Sequence, residues 1–410
     1  MTTVILDISR LISRIRHYTP SGVDRVEMAY ARGLLERYGE NLHFAAVHPL
    51  GWKGRVPRNA ALGYLDWLEH CWLTGSDETR QRSLASVMPT LLRLRPRRSR
   101  ERAATNVPVY VQVSPHHLTR PKAVKAMLDS ERASFLCMVH DLIPIEYPEY
   151  ARESGARLHR LRMQTVADLA DAVIVNSAAT GRSFASFAQA SGRVPSIHVA
   201  LLGTEKLTQD IAAQAEANAS AAQVKPYFVC VGTIEPRKNH LLLLNLWRRM
   251  AETLPPHEIP RLVIVGRRGW ENEQVLDMLE RCAALRPYVE EINGCSDVRL
   301  ASIVRGARAL LMPSFAEGFG MPVAEALDAG VPVICSDIAA HREVGGAVPD
   351  YLDPLDGPGW MTLIRDHAHD GAAAIAQRAR LAQWHAPTWN EHLDIIDRAI
   401  DQLALSAVNR

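Results

Sequence analysis

The sequence predicts an α/β protein of two doubly wound parallel sheets, and three observations carry that expectation. Short apolar runs alternate with longer stretches of helical period along nearly the whole chain. The runs are β-branched or apolar throughout, and they fall into two series divided by a polar segment. Such alternation is the pattern of parallel strands joined by crossover helices. Continuous apolar character suits strands covered by helices on both faces, because no side chain then faces water.

In chain order, the first series places strands at 4–8, 43–48, 107–113, 135–140, 172–176 and 198–202. After the first of them, Ser21-Gly22 opens a helix that continues to about Gly39. Further on, LGYLDWLEHCWL sets Leu62, Leu65, Trp67, Leu68, Trp72 and Leu73 in a helix-compatible span. The second series places strands at 227–232, 262–266, 289–292, 309–312 and 331–335. Between the series, 209–223 is rich in Ala, Gln and Asn and is followed by Lys225-Pro226, the composition of a link. The tail begins with Pro387 and a Thr388 cap and then shows apolar residues at helical spacing. The expected organisation is therefore a first domain over 1–220, a second over 221–386 and a closing helix over 387–410.

A chain of 410 residues is long enough for two to three domains and needs no disulfide staples. Hydrophobic residues at 47% and charged residues at 22% exclude a disordered, collagen-like or coiled-coil chain. Lys and Arg total 47 against 45 Asp and Glu, so the net +2 provides no protein-wide field for general nucleic-acid binding. Any charged partner must meet a local site. The six cysteines form no CxxC pair and several sit in apolar runs, which points to reduced thiols and a cytoplasmic location. Asp7 interrupts the N-terminal apolar stretch, so no signal peptide is expected there. No apolar run approaches the roughly 18 residues of a membrane span, and contact with a membrane would be peripheral. One feature fits such contact: Arg93, Arg95, Arg97, Arg98, Arg100 and Arg102 cluster within ten residues, near Trp52, Trp67 and Trp72. Arginines beside aromatic and aliphatic residues suit an anionic headgroup surface, and they equally suit a solvated loop beside a core helix.

The chemistry concentrates after two strands of the second series. Glu317 and Glu325 stand eight residues apart in a stretch running from a strand through Gly318-Phe319-Gly320 into a helix. Glu317 is expected in the loop and Glu325 one to two turns into the helix, so both can face one site. A carboxylate accepts from paired sugar hydroxyls, and glycines let a ligand approach the backbone. The second stretch, Val231-Gly232-Thr233-Ile234-Glu235-Pro236-Arg237-Lys238-Asn239, puts two cations at a helix start. That sign is wrong for the helix dipole and right for an incoming diphosphate. In the first series, Gly22 opens a helix and His140 closes a strand, positions that suit either phosphate and ligand contacts or a plain turn and a structural histidine. No Asp-x-Asp pair and no His or Cys cluster of metal-ligand spacing occurs, so no catalytic metal is expected and leaving-group charge falls to Arg, Lys and helix termini. The first strand is not followed by GxGxxG, which argues against a dinucleotide site.

On these residues the chain resembles the GT-B glycosyltransferases of family GT4, and among them bacterial polysaccharide mannosyltransferases. The resemblance is carried by Glu317 and Glu325 as the E-x7-E element, by Gly232 to Asn239 as G-x-x-x-x-R-K-N, and by the Asn293-Gly294 loop. The looser matches are SGVDRV, His140-Asp141-Leu-Ile-Pro and Val173-Ile-Val-Asn-Ser177, while 50–105 has no recognised counterpart. The resemblance implies two Rossmann-like domains facing across a cleft, with a C-terminal helix closing back toward the first. It implies that Glu325 holds ribose hydroxyls and that Arg237 and Lys238 hold the diphosphate near Gly232 and Thr233. Glu317, Gly318, Phe319 and Gly320 would grip the donor sugar, and Asn293, Gly294, Cys295 and Val298 would line the base pocket. Gly22 would approach the phosphate from the other domain and His140 would touch the sugar from the acceptor side. The implied activity is a retaining, metal-independent hexosyl transfer with no cofactor beyond the nucleotide-sugar donor. GDP-mannose is favoured as that donor, over UDP-sugars or dTDP-rhamnose, and the acceptor would be a lipid-linked glycan at an anionic inner membrane face. A sugar-nucleotide epimerase and a non-catalytic sugar-nucleotide-binding scaffold are the alternatives.

Overall fold

A computed structural model describes residues 2–74, 82–97, 107–204 and 226–408. The expected link at 209–223 and the arginines 98, 100 and 102 lie outside the described residues. The chain divides into one unit made of 1–203 with 387–410 and a second made of 204–386.

The first unit holds β1 (Val4–Asp7), β2 (Leu42–Val47), β3 (Lys53–Val56), β4 (Val109–Gln112), β5 (Ser134–Val139), β6 (Ala172–Val175) and β7 (Ser196–Val199). They form one sheet in the order β3-β2-β1-β4-β5-β6-β7, with Leu6 registered against Phe44 on one side and Val111 on the other. All neighbours are parallel except β3, which runs antiparallel to β2. Every residue of β1, β4 and β6 is buried, as their apolar runs require, and the polar residues that end β1 and β4, Asp7 and Gln112, are buried with them. The sequence reading missed β3, because Lys-Gly-Arg-Val has no apolar run; it forms as an edge strand, held on one side by β2 and touched on the other by the bridge between Arg55 and Arg97. The last strand, expected at 198–202, forms instead at Ser196–Val199. As an edge strand it is only half buried, and Ala200 to Leu202 leave it to meet the C-terminal helix.

That helix, Trp389–Val408, belongs to the first unit. Thr388 Oγ1 accepts from the Glu391 amide at 3.2 Å and Glu391 returns a carboxylate to the Thr388 amide at 3.0 Å, a reciprocal cap. Its buried face is Leu393, Ile396, Ala399 and Ile400. It lies against the helix Gly22–Tyr38, where Gly33 leaves room: a Cβ there would stand 2.1 Å from Leu393 Cδ1. Arg37 bonds Asp394 at 2.7 Å and also reaches Asp397. Buried His392 donates from Nδ1 to the carbonyls of Ala200 and Leu201, at 3.1 and 2.9 Å. Its Nε2 is then left to accept from the Tyr30 hydroxyl at 2.8 Å.

The second unit holds β8 (Tyr227–Val231), β9 (Arg261–Val265), β10 (Val289–Ile292), β11 (Leu310–Met312), β12 (Val333–Ser336) and β13 (Asp350–Leu352), all parallel, in the order β10-β9-β8-β11-β12-β13. The edge strand β13 was not expected either, since Asp-Tyr-Leu is three half-buried residues. Leu243, Leu244, Trp247 and Met250 of the helix His240–Thr253 fill the core with Phe228 and Trp360. The Trp247 indole N–H is satisfied by the Pro260 carbonyl at 2.9 Å. Among the described residues no helix is long and apolar enough to cross a membrane.

Candidate active site

In a doubly wound sheet, ligands meet the carboxyl ends of the strands where strand order reverses. In the second unit those strands are β8 and β11. The loop after β8 starts at Gly232, whose φ of +145° is open to glycine and strained for other residues. Its amide bonds Val265 O at 2.9 Å, and Ile234 N bonds Arg267 O at 2.9 Å. Gly266 supplies the bare backbone on which this loop rests, because a Cβ there would stand 1.8 Å from Gly232 O. Asn272 donates its side-chain amide to Ile234 O. The loop then tightens into a 3-10 turn, Pro236–Lys238, and Asn239 at φ +54° turns the chain into the helix His240–Thr253.

The loop after β11 meets it directly, with Phe315 N bonding Arg237 O at 2.8 Å. Arg237 Nη1 contacts Glu317 Oε2 at 2.6 Å and donates to Ala316 O at 2.9 Å, while Nη2 contacts Glu235 Oε1 at 2.6 Å. Lys238 Nζ contacts Glu317 Oε1 at 2.6 Å. Two cations and two carboxylates are thus interlocked, with Glu235 and Lys238 5% and 7% exposed. Burial alone would raise the Glu317 carboxyl; Arg237 and Lys238 outweigh it and hold the group well below the usual carboxylate range. Glu317 therefore stays ionised and fixes both cations in place before any ligand arrives, the preorganised charge that stabilises a developing anion. The Arg237 side chain is the more accessible, at 21%.

Gly320, at φ +95°, ends the loop and starts the helix Met321–Asp328, on which half-buried Glu325 is the fifth residue. Phe319 is buried beside it. Asn293, Gly294 and Cys295 follow β10, two strands from β8 and so on the order of 10 Å along the same end of the sheet. Cys295 is buried, Asn293 is exposed, and Val298 lies in the first turn of the helix Asp297–Arg305. The second unit therefore brings Gly232, Thr233, Arg237, Lys238, Glu317, Gly318, Phe319, Gly320 and Glu325 to one end of its sheet. Gly22 and His140 belong to the first unit: Gly22 begins its helix under a Ser21 cap, and His140 follows β5 and donates Nε2–H to Val113 O at 2.8 Å. Burial holds the His140 imidazole below its ordinary value against the opposing pull of the Val113 carbonyl and Asp141.

Two residues of this network were not anticipated. Glu235 had a signal, since it lies two residues before Arg237 in the same loop. His341 had none: it comes from the helix Ala339–Gly345 after β12. Its Nδ1 donates to Ser336 O at 2.9 Å, and its ring edge packs over Gly320, where a Cβ would be 3.0 Å from Cδ2. Among the described residues no group of three or more His, Cys, Asp or Glu side chains is placed to hold a metal ion.

Residues 213–347 match the model of the family described as glycosyl transferases group 1. The serotype-specific mannosyltransferase WbdA of Escherichia coli is 29% identical over 268 residues, covering 59% of this chain and 32% of its own. The O-antigen chain mannosyltransferase B of Escherichia coli is 36% identical over 166 residues, covering 40% of this chain and 42% of its own. The chain thus spans about a third to two fifths of the length of these relatives. In fold it is similar to Anabaena HepE in complex with UDP and glucose, at a TM-score of 0.59 and 16% identity over 98% of this chain and 99% of that one. Sucrose-phosphate synthase from Thermosynechococcus elongatus gives a TM-score of 0.63 at 15% identity, over 99% and 100% of the two chains. The family match thus contains both interlocked loops at the strand-order reversal, and the chain is similar in sequence to bacterial mannosyltransferases and in fold to GT-B glycosyltransferases.

Proposed function

We propose that this protein transfers a hexose, with mannose from GDP-mannose favoured, to a lipid-linked glycan acceptor with retention of anomeric configuration and without a metal. The observation that carries the proposal is the pair of cations, Arg237 and Lys238, clamped by Glu317 at the strand-order reversal of the second sheet. The bond from the sugar's anomeric carbon to the diphosphate breaks, and the diphosphate leaves with the electron pair. Its charge develops beside the two cations, which lowers the barrier by electrostatic stabilisation. The acceptor hydroxyl oxygen bonds the same carbon on the face the diphosphate leaves, and its proton passes to a diphosphate oxygen, so no protein nucleophile is needed. Glu325 binds the ribose hydroxyls. The names of the two E. coli relatives favour mannose as the transferred sugar.

A peripheral position on an anionic membrane is part of the proposal. It is supported by the helix Leu84–Arg93, which leaves Leu84 and Leu92 about half exposed, and by Arg95, whose guanidinium lies 4.4 Å from the Trp52 ring centroid.

Thermal-shift measurements with GDP-mannose, UDP-glucose and dTDP-rhamnose test the donor, since a ligand of the native state raises its melting temperature. GDP-mannose should give the largest shift in the wild type and none in Lys238→Ala. Absence of a shift with all three sugars would remove the donor site.

A further inference from the structure

The loop between the short helix Ser9–Ser13 and the helix Gly22–Tyr38 follows β1, at the strand-order reversal between β1 and β4. Its ends are tied within the same stretch of chain: Arg14 reaches Asp24 at 3.2 Å, and the Ser21 amide donates to that carboxylate at 2.7 Å. Its middle is held from elsewhere. Arg82 Nη1 donates to Ile15 O at 3.0 Å and to His17 O at 3.3 Å, and the Arg82 backbone amide donates to Arg16 O at 2.9 Å. Arg16 Nε donates back to Arg82 O at 2.9 Å. The Arg82 guanidinium also lies 4.2 Å from the Tyr18 ring centroid and 4.5 Å from that of Trp67 on the helix Arg58–Thr74, both within cation–π reach. Three consecutive loop carbonyls are thus satisfied by one distant residue, and a fourth loop residue stacks on it.

Arg82 belongs to 50–105, the stretch without a recognised family counterpart, and it stands one residue from a helix with an unpartnered surface. Ser83 Oγ accepts from the Ser86 amide at 3.2 Å and caps the helix Leu84–Arg93. That helix buries Val87 and Leu91 and leaves Leu84 and Leu92 about half exposed. Beyond it, Arg95 lies over Trp52, and Arg97 exchanges backbone bonds with Arg55 of β3 at 2.8 and 2.9 Å. The segment 82–97 is therefore fastened at both ends, to the loop after β1 by Arg82 and to the sheet edge by Arg97, with its exposed leucines and basic residues between and beside the fastenings.

We infer that Arg82 is a positioning residue that couples the seating of this helix on an anionic lipid surface to the order of the loop 14–21. The inference rests on the membrane position proposed above and adds what that contact does. Leucines entering the lipid interface fix the helix, and through the Ser83 cap they fix the backbone of Arg82. A guanidinium on a fixed backbone loses less freedom when it grips the loop, so its bonds to Ile15 and His17 are populated more of the time. Contact with lipid is thereby passed to the end of the first sheet where ligands meet such folds.

Hydrogen exchange of the full chain, with and without saturating phosphatidylglycerol vesicles, tests this in wild type, Arg82→Gln and Arg82→Lys. In wild type the vesicles should slow exchange over 84–93 and, by about threefold or more, over 14–21. In Arg82→Gln the protection of 84–93 should persist and that of 14–21 disappear, while β1, β4 and the second unit exchange as in wild type and so report an intact fold. Arg82→Lys, which keeps the charge and loses the planar fork, should keep part of the protection at 14–21. If Arg82→Gln loses protection throughout the chain, Arg82→Lys decides: weakened protection confined to 14–21 supports the coupling, and protection equal to wild type overturns it. Wild-type protection of 84–93 with none at 14–21, or equal protection of 14–21 in wild type and Arg82→Gln, overturns the coupling and leaves the membrane position standing. Vesicles that protect neither segment remove the membrane position and the coupling with it. Sugar transfer is not read, so the transferase reading stands or falls separately.

Discussion

Glu317 sits between Arg237 and Lys238, and its role at this scale can be measured through stability as well as activity. Glu317→Gln leaves Lys238 buried without its partner, so the variant should lose about 3–5 kcal/mol at pH 7, the usual cost of breaking a buried pair. The folded-state carboxyl titrates below its unfolded value, so the contribution is full above the ordinary carboxylate range and fades as pH falls beneath it. Denaturant midpoints of wild type and variant should therefore differ most at pH 7 and draw together steadily as pH falls below the ordinary carboxylate range; a constant gap would show that charge is not the cause. Glu27 behaves in the opposite sense. Burial raises it to about 8, so its proton is held in the folded state while the unfolded chain releases it, and wild-type stability declines as pH climbs from the ordinary carboxylate range to about 8. Relative to wild type, Glu27→Gln should gain on the order of 4 kcal/mol between pH 4 and pH 8. A flat difference across that range would mean that Glu27 is ionised in the fold.

Among the elements, the C-terminal helix ties most to residues distant in sequence. Ile396 is fully buried in the first unit, next to a contact that needs Gly33, so Ile396→Ala should cost about 2–4 kcal/mol by cavity formation. Hydrogen exchange should speed up over 389–408 and over the helix Gly22–Tyr38 while the second unit keeps its protection. Unchanged protection would separate this helix from the first unit's core. The edge strands show where element reading stops. Central strands such as β1, β4 and β12 are apolar except at their last residue because both faces are covered, so they announce themselves. β3, β7 and β13 are covered on one side or less, carry polar residues, and exist because a neighbour offers its free edge.

For the whole molecule, the test is where it resides. Arg93, Arg95 and Arg97 are described, with Leu84 and Leu92 exposed nearby, so replacing the three arginines by alanine should weaken binding to phosphatidylglycerol vesicles by roughly tenfold or more and leave binding to phosphatidylcholine vesicles unchanged, since each basic residue near such a surface contributes about 1 kcal/mol. Co-sedimentation measures both, and equal binding by wild type and variant to the anionic vesicles would make this a solvated loop. Two sheets, most of their strands, and the loops bearing Arg237, Lys238, Glu317 and Glu325 were legible in the amino-acid order alone. Apolar runs, glycines and charge spacing act over a few residues, so they can be read locally. Tertiary structure alone decided that Glu317 is clamped by both cations, that His341 lies over Gly320, and which edge strands close each sheet. Those relations join residues from strands far apart in the chain, and they come into being only when strand order and packing bring the ends of those strands together.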